Sequence, residues 1–227
     1  MNRKTAITLA ISGLALAALA CNAVTGGGGS GDTPPATPSL QVLLSDDFSS
    51  AKWGTGTDAD SSVEYANNAL QMIVFTKNYF VWSTPPGASA YQNVHAEVTV
   101  INNGTDSTTA FGIMCNKQAS TSNFYYLAMT PAGEYAIAKA AEGQSDVFLT
   151  NNDQWASSDQ IAKDASSYHI GADCGNGTLT LYVDGQQIAA VSDSSYTSGG
   201  VAIFAWSGEE ANSADISFDD FLMTQLP

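Results

Sequence analysis

Beyond Arg3 the 227-residue chain contains no arginine, and only two histidines and three cysteines occur in it. Each scarcity excludes something. Without arginine there is no planar fork to read phosphate or sulfate in a bidentate way. Downstream of the N-terminus five lysines (Lys52, Lys77, Lys117, Lys139 and Lys163) stand far apart against 22 acidic residues. Nucleic acid and anionic membrane surfaces, which depend on clustered Lys and Arg, are therefore poor partners. His95 and His169 have no cysteine or carboxylate at zinc-ligand spacing beside them, which argues against a metal triad. No Gly-x-Ser-x-Gly elbow occurs. Helical periodicity is also missing after Cys21.

What is present begins with an address. Arg3 and Lys4 precede a stretch from Ala6 to Ala20 that is apolar except for Thr8, Ser12 and Gly13. It is short for a membrane span and ends in small residues, the pattern of a signal peptide over residues 1–20. Ala18-Leu19-Ala20-Cys21 resembles a bacterial lipobox, which implies that Cys21 is acylated and becomes the new N-terminus. It departs from the usual pattern in holding Ala18 and Leu19 where Leu and a small residue are the rule. The alternative is ordinary cleavage near Ala20, leaving Cys21 as a free thiol. Residues 21–40 follow as a tether, with four consecutive glycines giving flexible coil and spaced prolines stiffening it. Once the signal leaves, five lysines face 22 acids and the net charge is near −17.

Residues 41–227 are one domain by length and can bury about 70% of their unfolded surface, enough to fold without a metal. Their repeating feature is alternation. In Val94-His95-Ala96-Glu97-Val98-Thr99-Val100 every second residue is apolar, which places those side chains on one face of a strand. Leu179, Leu181 and Val183 repeat it. Further strands are expected at 69–75, 79–83, 109–114, 123–130, 134–140, 168–173, 186–191, 200–206 and 216–224. Asn67-Asn68, Pro85-Pro86-Gly87, Gly175-Asn176-Gly177 and similar turn signals separate them. Asp184-Gly185 predicts a type I′ hairpin. Phase slips between Ile216/Phe218 and Phe221/Met223, so Asp219-Asp220 is expected to be a β-bulge. A dozen short strands without crossover helices predict an all-β fold, two antiparallel sheets packed face to face.

Ser45-Asp46-Asp47-Phe48, Gly112-Ile113-Met114-Cys115, Asn123-Phe124-Tyr125-Tyr126 and Gly133-Glu134-Tyr135-Ala136 occur in this order, followed by Asp173-Cys174-Gly175-Asn176-Gly177, Leu181-Tyr182-Val183-Asp184-Gly185 and Phe218-Asp219-Asp220-Phe221. Together they resemble the concanavalin A-like jelly rolls, specifically the laminin G-like domains of bacterial surface proteins and those found beside 3-keto-disaccharide hydrolases. The resemblance spans essentially all of 41–227 and implies a two-sheet antiparallel jelly-roll sandwich. It also implies that the strands ending in Cys115 and Cys174 are neighbours, and in an oxidising compartment those cysteines are expected to pair. Two buried free thiols are the alternative. The first and last strands would pair too, bringing Asp46 and Asp47 close to Asp219 and Asp220. Four carboxylates at one edge would suit Ca2+, a hard cation with six to eight oxygen ligands. The alternative is that one acid caps a turn and another points into water.

Enzymes of this fold need two carboxylates flanking a glycosidic bond. The Glu-x-Asp-x-x-Glu run of laminarinase-type relatives is absent, Glu97 faces outward from its strand and Glu134 follows a turn, both read as solvated. Sugars are otherwise held by flat aromatic faces with a few polar groups. Of the four tryptophans, Trp53 and Trp82 read as buried. Trp155, in the polar stretch after Asn151, and Trp206, at the end of a strand, are the candidate ligand platforms. The reading is a surface-displayed lipoprotein on the outer side of the bacterial cell membrane. Its module would be non-catalytic and bind a neutral or cationic polysaccharide or a surface protein. An adhesive domain without a small ligand, or an unrecognised glycoside hydrolase, are the alternatives.

Overall fold

The computed structural model describes residues 40–87, 90–209 and 213–227. The signal segment, Cys21 and the tether lie outside the described residues. The strands, in chain order, are β1 (Val42–Asp46), β2 (Gly56–Thr57), β3 (Ser61–Ala66), β4 (Ala69–Val74), β5 (Phe80–Ser83), β6 (Val94–Asn102), β7 (Ala110–Lys117) and β8 (Phe124–Met129). They continue with β9 (Glu134–Ala140), β10 (Val147–Phe148), β11 (Ala156–Ser157), β12 (Ser167–Gly175), β13 (Thr178–Val183), β14 (Gln186–Ser192), β15 (Gly200–Trp206) and β16 (Ala214–Gln225). No helix occurs among the described residues.

Two antiparallel sheets form. The nine-stranded sheet runs β14-β13-β12-β6-β16-β4-β3-β2, with β1 lying beside the C-terminal half of β16. The seven-stranded sheet runs β10-β9-β8-β7-β15-β5, with β11 beside β9. This is the two-sheet sandwich the alternation predicts. The first and last strands pair, Asp46 opposite Phe221.

Alternation places the core. On β6, Val94, Ala96, Val98 and Val100 are buried while His95, Glu97 and Thr99 face away. They meet Phe111, Ile113, Leu127, Ile137 and Ile203 from the other sheet. The Cys115–Cys174 disulfide joins β7 to β12 and so staples one sheet to the other. Asp184 and Gly185 both have positive φ, 50° and 76°, as the I′ hairpin requires, and Asn67 and Asn68 make a second such turn. The bulge also stands where the phase slips: the β16–β6 register shifts between Asp219 and Leu222, and Asp220 has φ 49°. Ile216, Phe218, Phe221 and Met223 all reach the core as a result.

Two differences from the sequence reading concern placement. Strand β3 was not expected, because Ser61 and Ser62 hide its pattern; both are buried beside Val63. Trp82 is 44% exposed rather than buried, since β5 is an edge strand and its outward face meets solvent.

Candidate functional site

The two sheets differ on their outer faces. β6 of the nine-stranded sheet is polar outside, but β7, β8 and β15 are buried in both phases. A second apolar layer explains this. Met114, Tyr126, Ala128, Ala138, Ala140, Ala202 and Phe204 cluster on the outer side of the seven-stranded sheet, with Phe80, Phe124, Phe148 and Trp155 packed against them. Short alanine side chains keep the middle of this layer low. Gly112 has no room for any side chain, because a Cβ there would stand 2.0 Å from the Leu127 carbonyl oxygen.

The result is a groove of about 860 Å³ with an aromatic floor and loop walls. Phe80 stacks on Phe204 at 4.6 Å between ring centroids, and Tyr126 meets Phe204 edge-on at 5.9 Å. Trp155 and Trp206 both line it, and their rings lie parallel within 7°. Trp206 is aimed by its indole N–H, which donates to Asn78 Oδ1 at 3.3 Å. Trp155 is presented by Asn151, Asn152 and Asp153, three successive residues of positive φ, a conformation Asn and Asp tolerate better than most. Asn151 Nδ2 donates to the Trp155 carbonyl at 2.6 Å, and Phe148 N–H donates to Asp153 Oδ1 at 2.7 Å, closing the loop. Trp82 lines the rim, with Lys117 Nζ 5.9 Å from its ring centroid, within cation–π range.

The charged groups of the groove come from loops. Asp146, Glu142 and Glu209 line it, while the sheet floor contributes no carboxylate. Tyr126 Oη donates to Asp146 Oδ2 at 3.0 Å. Loss of hydration beside the rings raises the Asp146 carboxyl above its ordinary 3.8, against the lowering effect of that bond. Burial also pushes the Tyr126 phenol up, helped by the adjacent Asp146 charge.

The acids offered to calcium stand on or beside β1 and β16 of the nine-stranded sheet, and three of the four have a local partner. Asp46 is buried and accepts from Phe48 N–H at 3.0 Å and from Lys52 Nζ at 3.4 Å. Asp47 caps the turn through the Ser49 N–H and hydroxyl, and Asp219 accepts from Asp220 N–H. Among the described residues no group of three or more His, Cys, Asp or Glu side chains is arranged to hold a metal ion.

Sequence spacing missed a network on the outer face of the nine-stranded sheet. His95 Nδ1 lies 2.6 Å from Asp173 Oδ1, and Tyr182 donates to Asp173 Oδ2 at 2.8 Å. Glu97 Oε2 lies 3.3 Å from His95 Nε2 and 3.2 Å from His169 Nε2. Glu97 is thus paired rather than merely solvated, and neither histidine is isolated. The signal that could have found this is register: Asp173 is opposite His95 only once β12 is laid against β6.

The fold is a concanavalin A-like jelly roll. Among solved structures, the chain is similar to a carbohydrate-binding module, CBM66, from Bacillus subtilis, with TM-score 0.58 and 14% identity over 77% of this chain and 96% of that one. A Bacillus licheniformis β-glucanase matches with TM-score 0.55 and 12% identity, over 82% and 99%. A Bacteroides ovatus GH16 protein of a mixed-linkage glucan locus, solved with an oligosaccharide product, matches with TM-score 0.54 and 14% identity, over 80% and 99%. No protein-family profile and no curated protein matches the sequence.

Proposed function

We propose that the domain is a non-catalytic glycan-binding module, displayed outside the cell on a lipidated tether, and that the aromatic groove takes the sugar chain. The observation that carries the reading is the outer face of the seven-stranded sheet. A floor of rings and alanines, walled by loops bearing a few polar groups, suits the flat apolar faces and hydroxyl rims of sugars. The structural neighbours support the glycan-binding part of this reading: one is a carbohydrate-binding module, one a β-glucanase and one a GH16 protein of a mixed-linkage glucan locus. The sequence lacks the Glu-x-Asp-x-x-Glu run, and the groove's carboxylates, Asp146, Glu142 and Glu209, stand on loops rather than on a common strand face, which argues against hydrolysis by a carboxylate pair flanking the bond. An extracellular setting fits the disulfide. Acylation at Cys21 would tie the domain to the membrane through residues 22–40.

Isothermal titration of the purified domain against a panel of neutral and cationic oligosaccharides tests this, and saturable binding is expected. Release of sugar from any of them, abolished by changing one acidic residue, would overturn the non-catalytic assignment. Silence across a broad glycan array would move the reading to an adhesive domain without a small ligand. The anchor has its own test: Cys21→Ser should shift the protein from the membrane fraction to the medium.

A further inference from the structure

We infer that the groove selects glycans bearing free amino groups, a polymer of the deacetylated amino-sugar class, and that Asp146 is the selecting group. This rests on the glycan-binding reading and adds the chemistry of the ligand to it.

Charge within the groove carries the argument. Among the described residues three carboxylates, Asp146, Glu142 and Glu209, line it, and no lysine, arginine or histidine does. Lys117, which does not line the groove, lies 5.9 Å from the centroid of the Trp82 ring at its rim. Asp146 is the member bonded to the floor: the hydroxyl of Tyr126 donates to its Oδ2 at 3.0 Å, and no other side-chain partner for it occurs among the described residues. A sugar ring seated on the floor would cover this carboxylate and take it out of water, which costs free energy unless a cation or further donors meet it. The described residues supply it one side-chain donor and no cation, so the complementary partner is a ligand group that is positive and donates hydrogen bonds. An ammonium on a sugar ring does both, while the ring's apolar face lies on the aromatic floor. Rings beside a carboxylate favour a cation twice, through the carboxylate charge and through the negative faces of the rings. N-acetylation of the same sugar would remove the charge and leave Asp146 unmet.

The affinity should follow Asp146 ionisation. Tyr126 from β8 is bonded to it, Glu142 shares its loop, Glu209 faces the groove from the loop after β15, and Asp153 adds its charge near the same phenol. All are acidic, so protonation on lowering the pH removes attraction for an amine and adds none.

The test is titration calorimetry with three matched oligosaccharides, a glucosamine oligomer, its N-acetylated form and a glucose oligomer, with a lysine oligopeptide as fourth probe. A charge-assisted contact predicts a preference of about tenfold or more for the glucosamine oligomer. Asp146→Asn should bring that ratio close to one, with its melting temperature confirming the fold. In Tyr126→Phe, which deprives the carboxylate of its donor, the preference should disappear at a higher pH than in the natural protein. Equal binding of the three oligomers would overturn the inference and leave the glycan reading standing. So would a preference that survives in Asp146→Asn, or a lysine peptide binding as tightly as the glucosamine oligomer. Binding of none of the oligosaccharides would remove both.

Discussion

The indole rings of Trp155 and Trp206 lie parallel, 6.3 Å apart between centroids and 7° from coplanar in orientation, although 51 positions separate them in the chain. One ring ends a sheet strand and the other rides on a loop, so the pair joins a rigid element to an adjustable one. Phe148 backs Trp155 at 5.9 Å, and Asn78 holds Trp206 through its indole N–H.

From this follows an order among substitutions. Trp206→Ala removes the strand-borne ring and the surface on which Trp155 rests, so binding of an oligosaccharide should weaken about tenfold or more. Trp155→Ala should weaken it less, with the floor intact. The double variant should lose less than the sum of the two, because the rings act as neighbours. Titration calorimetry on the three variants checks the ranking, and strictly additive losses would mean that the rings bind independently.

The disulfide should matter for stability rather than for the groove. Cys115 and Cys174 are 59 residues apart in sequence, and closing such a loop stabilises by roughly 4 kcal/mol in the chain-entropy model. At about 2–4 °C per kcal/mol for a domain of this size, replacing both by alanine should lower the melting temperature by roughly 10 °C. Oligosaccharide affinity well below the melt should hardly change. A melt unaffected by the double substitution would show that the bond contributes nothing.

Much of this architecture was legible in residue order, and the limits are instructive. Strands β9 and β15 stand at the residues the pattern predicted, because turn signals bound them tightly. The bulge at Asp219-Asp220 was readable from a phase slip, since only an extra residue can return both halves of β16 to the core. The groove was not readable in the same way. Its mark is that Phe124–Met129 and Val201–Trp206 are apolar in both phases, where β6 alternates, but a doubly covered strand does not say what covers it. Trp82 was misplaced for a related reason: an apolar strand gives no sign that it will stand at an edge. The placing of Trp155 needs three left-handed residues and a stacking partner from β15, which no local pattern encodes.

Calcium at the paired chain ends has a direct physical obstacle. Bridging would require Asp46 to turn from the Phe48 N–H and from Lys52, and Asp47 to release its Ser49 contacts. Asp46 is buried and its two partners already offset its charge, so exchange gains little. Thermal melts in calcium and in chelator are therefore expected to share one midpoint. A midpoint several degrees higher in calcium, lost in chelator and in Asp46→Asn, would establish the ion as a staple of these strands.

The histidine network predicts a stability maximum on the acid side of neutrality. Hydrogen bonding to Asp173 raises the pKa of His95 above its ordinary 6.5, burial opposes this, and Glu97 adds to it. A raised cation pKa stabilises fully below the unfolded value near 6.5, and the contribution is lost as pH climbs through the folded value. The carboxylates run the other way. Burial works against ionisation of Glu97 and Asp173, but bonds from His169 and His95 to the first, and from His95 and Tyr182 to the second, leave both below their ordinary 4.5 and 3.8. Their contribution is complete above those values and disappears as pH falls through the lowered ones. Both contributions coexist between about pH 4.5 and pH 6.5. His95→Gln, which keeps a donor but not the charge, should therefore cost most there. About 1 kcal/mol is expected for a side chain one quarter exposed and partly screened by solvent, or roughly 2–4 °C in the melt. Measured at about pH 5.5 and about pH 8.5, the deficit should be clearly larger at the lower value, where the natural protein holds His95 as a cation between Asp173 and Glu97. Equal deficits at the two pH values would mean that His95 acts through packing alone.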